Sequence, residues 1–185
     1  MPGWGDEVQP ERLMTQRTRI EPISLDQVDV AYQALSDPHV YTFIPEDPPP
    51  NADTLRRKWT RYLDGPGNAS DEQWLNWTVW LQSTDEVIGA LQATVFANEH
   101  RADIAYLFAA KHWGQGLASE AVDAMCAWLC AVCDVAVVEA QVDTRNEASY
   151  RLLERLGFER IRLTPAADVF KGTVSDEYLY RKVGS

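Results

Sequence analysis

Two glycines one residue apart, Gly114 and Gly116, stand where an apolar run over residues 104–110 gives way to a helical pattern. With no Cβ, each lets the backbone come close to a ligand. A helix that begins just after them points its unpaired first-turn N–H groups, and the positive end of its dipole, at whatever sits there. A phosphate suits such a place. The stretch Trp113-Gly114-Gln115-Gly116-Leu117-Ala118 therefore reads as a pyrophosphate cradle. It is not the dinucleotide fingerprint, which needs a third glycine at position 119, where the chain has Ser119. It is not a Walker loop either, because no Gly-Lys-Ser/Thr follows.

A second signal comes about thirty residues later. Residues 135–142 read as a strand, and Asp143-Thr144-Arg145-Asn146-Glu147-Ala148-Ser149 leads into a helix that ends Leu156-Gly157-Phe158. The Gly-x-Gly loop followed by this Asn-bearing helix resembles the GNAT superfamily of acyl-CoA-dependent N-acyltransferases. Within it, the Trp113-Gly114-x-Gly116 form, the Asn146-x-x-Ser149 spacing and the ending Lys171-Gly172 … Asp176-Glu177-Tyr178 are similar to the ribosomal-protein N-terminal acetyltransferase branch. The likeness runs from about residue 11 to residue 180. One departure is Lys111, where the superfamily usually carries Gln or Arg.

The resemblance implies acetyl-CoA as co-substrate, no metal, and a primary amine as acceptor, either a protein N-terminus or a small molecule. Acyl transfer from a thioester to an amine requires the donor to be held, the amine to be neutral, the oxyanion to meet a donor and the thiolate to receive a proton. Holding falls to the loop N–H groups, and a strand N–H at Leu107 or Phe108 is the implied oxyanion donor. Asn146 is a natural N-cap, and the family adds a cofactor contact for it. Ser149 has no structural necessity mid-helix, and the resemblance sets it beside the thiol as proton donor. Tyr150, next in sequence, points about 100° away on a helix.

For the base, Asp168 lies where the N-terminal acetyltransferase branch has a carboxylate, with Val169 and Phe170 beside it to exclude water. Asp103, at the start of the strand entering the cradle, is second, and Glu139 is a weaker third. His100 sits in a turn and His112 in the phosphate loop, so neither is favoured. The acceptor pocket implied by the family is walled by the first two helices, their Pro-rich loop and the last hairpin. Tyr41, Phe43, Trp77 and Tyr178, with Trp59, fall on those segments, and Glu46 and Asp47 could attract a cation. The competing reading is a non-catalytic acyl-CoA sensor or scaffold, which would need neither Ser149 nor a cleft carboxylate.

The elements that must position these residues follow from pattern. Residues 12–23 predict a strand; Ser24-Leu25-Asp26-Gln27 is a capping-box pattern opening a helix through residue 35, which Asp37-Pro38 stops. Residues 43–50 form a stiff Pro-rich loop, and a second helix runs from residue 53 or 54 to 63, with a turn over residues 64–68. Alternation predicts strands over residues 74–81, 87–96 and 102–109, then a helix over residues 116–131. Residues 158–163 and 177–183 are strands around a loop near Pro165. The expectation is one α/β (α+β) domain of GNAT type over residues 11–185, behind a flexible tail, residues 1–10. Its sheet is mixed and mostly antiparallel, with a splay between two parallel strands and helices on both faces.

Composition narrows the setting. The net charge of −11 argues against nucleic acid and mildly favours cationic substrates. No apolar run reaches the roughly 18 residues of a membrane span, and residues 1–7 carry no apolar signal segment. A cytoplasmic protein, monomer or homodimer, is expected. Cys126, Cys130 and Cys133 read as small apolar residues in a reducing compartment.

Overall fold

The computed structural model describes residues 8–67 and 71–184. Its sheet has eight strands: β1 (Leu13–Met14), β2 (Thr18–Pro22), β3 (Glu72–Leu81), β4 (Glu86–Phe96), β5 (Arg101–Phe108), β6 (Val137–Asp143), β7 (Glu159–Phe170) and β8 (Thr173–Val183). They lie in the order β1-β2-β3-β4-β5-β6-β8-β7, and β5–β6 is the parallel pair. The helices are α1 (Val28–Leu35), α2 (Ala52–Asp64), α3 (Leu117–Val132) and α4 (Glu147–Arg155).

The sheet separates two apolar layers. On one face α3 and α4 bury Leu117, Val122, Met125, Leu129 and Leu153 against Trp77, Leu91, Ile104 and Tyr180. On the other, α1 and α2 bury Val28, Leu35, Leu55 and Trp59 over Val87 and Ala109. The alternation of strand side chains assigns each residue to one layer or the other. Among the described residues, no helix is long and apolar enough to cross a membrane.

Several local outcomes differ from the pattern reading. The first strand is broken into β1 and β2 by a tight turn in which Thr15 N bonds the Thr18 carbonyl at 3.0 Å. The Ser24/Gln27 capping box does not form: Ser24 bonds Asp26, while the Gln27 amide oxygen takes the Thr78 hydroxyl at 3.2 Å. The expected loop near Pro165 lies within β7, which keeps pairing with β8 through register shifts on either side of it. Bulges take up extra residues without ending a ladder. Of the tail expected over residues 1–10, residues 1–7 lie outside the described residues, as does Asn68 of the expected turn. Val8 packs against the main core, and the Glu11 carbonyl accepts the Trp77 indole at 3.0 Å.

Candidate active site

The site is an interruption in the sheet. β5 and β6 pair only over Arg101–Asp103 and Val137–Glu139. Beyond that, β5 continues beside β4 as far as Phe108, and β6 continues beside β8 as far as Asp143. Each strand keeps its outer neighbour and loses its inner one, leaving a slot. A charge cluster closes its base: Arg181 donates to Glu139 at 2.6 and 2.8 Å, and Arg101 pairs with Asp103 and stands 3.6 Å from Glu139.

Which backbone groups line the slot follows from strand alternation. Ala109 N donates to the Ile88 carbonyl on the β4 side, whereas the His100 carbonyl accepts Val137 N on the β6 side. The amides of Tyr106 and Phe108 therefore face the slot, that of Ile104 closes the last rung with Glu139, and those of Ala105 and Leu107 face β4. Of the two expected oxyanion donors, Phe108 is directed into the opening and Leu107 is committed to the ladder. Gly89 lets β5 lie this close to β4: a Cβ there would come within 2.4 Å of the Leu107 carbonyl oxygen and 2.7 Å of the Phe108 ring.

At the end of β5 the glycine loop turns into α3, with Gly114 and Gly116 at φ +74° and +77°. Trp113 N is taken by the Ala110 carbonyl at 3.1 Å. The run of N–H groups without a partner among the described residues thus begins at Gly114, not Trp113, and ends in the first turn of α3 at Ser119. The loop is braced from outside: Arg17 donates to the Gln115 carbonyl and to Glu120, both at 2.8 Å. Burial pushes the Glu120 carboxyl up, but bonds from Thr15 and Arg17 outweigh it and hold the acid below its ordinary range. The exposed Trp113 anchors its indole N–H on the Phe108 carbonyl at 2.6 Å.

Across the slot, Asn146 caps α4, its side-chain oxygen accepting Ser149 N at 3.2 Å. Ser149 Oγ lies 2.8 Å from Tyr106 Oη, so α4 and β5 touch through two hydroxyls beside the slot-facing amides. Burial pushes the Tyr106 phenol up to about 12, which keeps it protonated and able to donate. Tyr106 carried no sequence signal, because a tyrosine in a strand is an ordinary β-former. Tyr150 turns away and stacks edge-on against Tyr178 at 5.9 Å.

The acids occupy the opposite face. Tyr180 reaches Glu154 of α4, so Glu177 and Ser175, three and five residues before it, point to the α1/α2 side. Asp168 is registered against Ser175 and Asp143 against Glu177, which gathers three carboxylates there. Asp143 is buried; burial raises it, but Arg145 and Ser175 bonds prevail and keep it ionised below its usual range. Glu177 has no hydrogen-bond or ion-pair partner among the described residues, and burial, with Asp168 and Asp143 beside it, pushes its carboxyl up. Asp168 is partly exposed and accepts Val169 N at 2.7 Å. Asp103, raised mainly by burial, is held by Arg101 at the base of the slot. Glu139 is fully engaged with two arginines.

A cavity of about 450 Å³ opens on this same face. Tyr41, Thr42 and Asp47 line one side, and Arg145, Phe170 and Lys171 the other. Of the expected acceptor residues, Tyr41 lines it, and Phe43 packs 5.9 Å from the Arg145 guanidinium. Trp77 does not belong to it: it is fully buried against Trp128 in the α3 layer, across the sheet. Tyr178 also faces α4, with Arg160 over its ring at 4.5 Å. Trp59 is buried under α1. Glu46 is paired with Lys58, and Asp47 stands 3.6 Å from Lys171, so neither is a free anion. Among the described residues no cluster could hold a metal. Burial raises the Cys126 and Cys133 thiols to about 12, which leaves them unreactive.

A mixed sheet opened between two parallel strands, with a glycine loop and helix start at one lip, defines a class of acyl-CoA transferase folds. Residues 17–159 match the family described as the acetyltransferase (GNAT) domain, and the chain belongs to that family. The chain is 29% identical over 175 residues to an uncharacterized N-acetyltransferase p20 of Bacillus licheniformis, covering 92% of this chain and 94% of that one. Its fold is similar to an acetyl transferase of Salmonella typhimurium that modifies the N-terminal serine of ribosomal protein L7/L12 (TM-score 0.81, 14% identity, 92% and 97% of the two chains). It is also similar to spermidine N-acetyltransferase of Vibrio cholerae, solved with CoA and spermine (TM-score 0.77, 13% identity, 90% and 95%).

Proposed function

We propose that this protein is an acetyl-CoA-dependent N-acetyltransferase of the cytoplasm in which a primary amine attacks the thioester directly within a ternary complex. The observation that carries this reading is the contact of Ser149 Oγ with Tyr106 Oη at 2.8 Å beside a slot whose free amides point inward. A binding module has no use for a hydroxyl pair there.

The residues present fit the donor. N–H groups from Gly114 to Ala118 suit a pyrophosphate, the slot edge of β5 suits a pantetheine amide, and Asn146 Nδ2 is free to add a contact. The bond that forms is amine nitrogen to acyl carbon, and the one that breaks is acyl carbon to sulfur. Asp168, with Glu177 at its side, takes the proton the amine must lose. Phe108 N–H donates to the developing oxyanion. The Ser149 hydroxyl gives its proton to the leaving thiolate and is resupplied through Tyr106. Proton acceptor and proton donor thus act from opposite faces of the sheet, with the reacting atoms between them.

Structural relatives include enzymes for a protein N-terminus and for spermidine, so both acceptor types enter the test. Thiol release from acetyl-CoA is measured with a panel of primary amines. Turnover with at least one is expected. Tight CoA binding with no turnover by any amine would instead support a sensor or scaffold.

A further inference from the structure

Among the described residues, the cavity wall holds two cations, Arg145 and Lys171, and one acid, Asp47. Lys171 Nζ donates to the carbonyls of Tyr41, Ile44 and Glu46 at 2.5, 3.2 and 3.0 Å, which uses all three of its protons. Arg145 pairs with buried Asp143 through Nε at 2.9 Å and Nη2 at 2.5 Å. Its guanidinium stands over the rings of Phe43 and Phe170, 5.9 and 5.6 Å from their centres. Two aromatic faces and a bidentate carboxylate fix the plane of the group. The side chain is 38% exposed, and Nη1 has no partner among the described residues.

Arg145 thus offers the cavity one oriented edge: the two protons on Nη1 and the second proton on Nη2. That edge matches an acceptor oxygen, either carboxylate or amide carbonyl. It does not match an ammonium, which the guanidinium repels; Asp168 and Glu177 on the same face serve the reacting amine of any acceptor, and a second ammonium at Arg145 would meet only the two cations. Asp143 and Asp47, the acids nearest these cations, are matched to them. The residue lies four positions before Ser149, at the entry to the same helix, so an oxygen held there keeps its amine close to the slot.

We propose that Arg145 is the specificity-determining residue for the acceptor, and that the acceptor class is an amine carrying a carbonyl oxygen near it, as in an amino acid or a peptide N-terminus, rather than a polyamine. This rests on the acetyltransferase reading above. It adds the side of the amine that the donor half of the site does not address.

The test compares kcat/KM for alanine, alaninamide, isopropylamine and spermidine. A hydrogen bond to a charged donor amounts to roughly ten- to a hundredfold, so alanine or alaninamide should exceed isopropylamine and spermidine by at least about tenfold. Preference for alanine identifies a free amino acid, and preference for alaninamide a peptide N-terminus. Arg145→Lys keeps the charge against Asp143 but loses the fork, and should erase the preference through the acceptor KM with the acetyl-CoA KM unchanged. Equal or better use of spermidine or isopropylamine by the native protein, or an undiminished preference in Arg145→Lys, overturns the proposal. Calorimetric titration of alaninamide and isopropylamine into the CoA-bound protein reads the same preference without turnover. A silent enzyme that still prefers alaninamide would refute the acetyltransferase reading and keep the site; one that binds both equally would refute both.

Discussion

The two lips of the slot are built on different principles. On the lip proposed for the donor, β5, the glycine loop and the start of α3 offer backbone amides, aimed by a sheet ladder on one side and a helix on the other. On the side proposed for the acceptor, the surfaces are side chains from segments far apart in the chain: Tyr41, Phe43, Arg145, Phe170 and Lys171. Backbone recognition tolerates few residue changes, since it depends on φ and on the absence of Cβ. Side-chain recognition can be rewritten one residue at a time. A shared donor and a variable acceptor therefore need no separate domains, only two kinds of wall.

The sharpest way to break this comparison is to put a side chain on the donor lip. Gly116→Val sets a β-branched residue at φ +77°, where only glycine is unstrained. CoA affinity measured by calorimetry should fall by roughly a hundredfold or more while circular dichroism stays native. Normal affinity would show that the cradle is elsewhere.

Next in size is the hydroxyl pair. Ser149→Ala should lower turnover by roughly tenfold to a thousandfold with little change in cofactor KM, as for a lost proton donor. Tyr106→Phe should cost less, roughly two- to tenfold, because Ser149 remains. Tyr150→Phe should be nearly silent, and the opposite ranking of Ser149→Ala and Tyr150→Phe would move the proton donor to Tyr150.

The acceptor face is probed by its acids. Asp168→Asn should depress turnover most near neutral pH, by roughly tenfold or more, and recover at high pH where the amine loses its own proton. Asp103→Asn should leave the shape of the pH–rate profile intact, since Arg101 holds that acid at the base of the slot. Exchanged profiles would reverse the assignment.

The smallest effect is on stability. A carboxyl raised above its ordinary 4.5 binds its proton more tightly folded than unfolded. Its ionised form therefore weighs against folding as pH rises through the folded value. Glu177→Gln should modestly raise the melting temperature at neutral pH, and the gain should vanish toward pH 4. A lower melting temperature at neutral pH would mean that Glu177 has a stabilising partner.

The donor lip was legible because its geometry demands residue types. Gly114 and Gly116 have positive φ, and Asn146 caps a helix; each leaves a mark in the sequence. The strands and helices came through on periodicity, except where tertiary contacts intervened, as when Gln27 took up Thr78 rather than closing a capping box. Trp77 shows the limit of pattern. Alternation put it on one face of β3 but could not say which, and that face turned out to be the core under α3. Arg145 stayed unread for a different reason: its two aromatic neighbours lie 102 residues before and 25 after it, at Phe43 and Phe170. Glu177 was seen only as part of a family ending, because its isolation follows from what faces it across β6 and β7.

The early end of the β5–β6 ladder has a consequence for breathing motions and for folding equilibrium. Along β5 beyond its pairing with β6, the amides of Tyr106 and Phe108 lack a strand partner while those of Ala105 and Leu107 have one, so hydrogen exchange should alternate fast and slow residue by residue within one strand. A ligand that supplies the missing partners acts as a ninth strand. Its occupancy then enters the free energy of unfolding by mass action, about 2.7 kcal/mol at a hundred times its dissociation constant. In a cell the abundance of the folded protein would follow the supply of its donor.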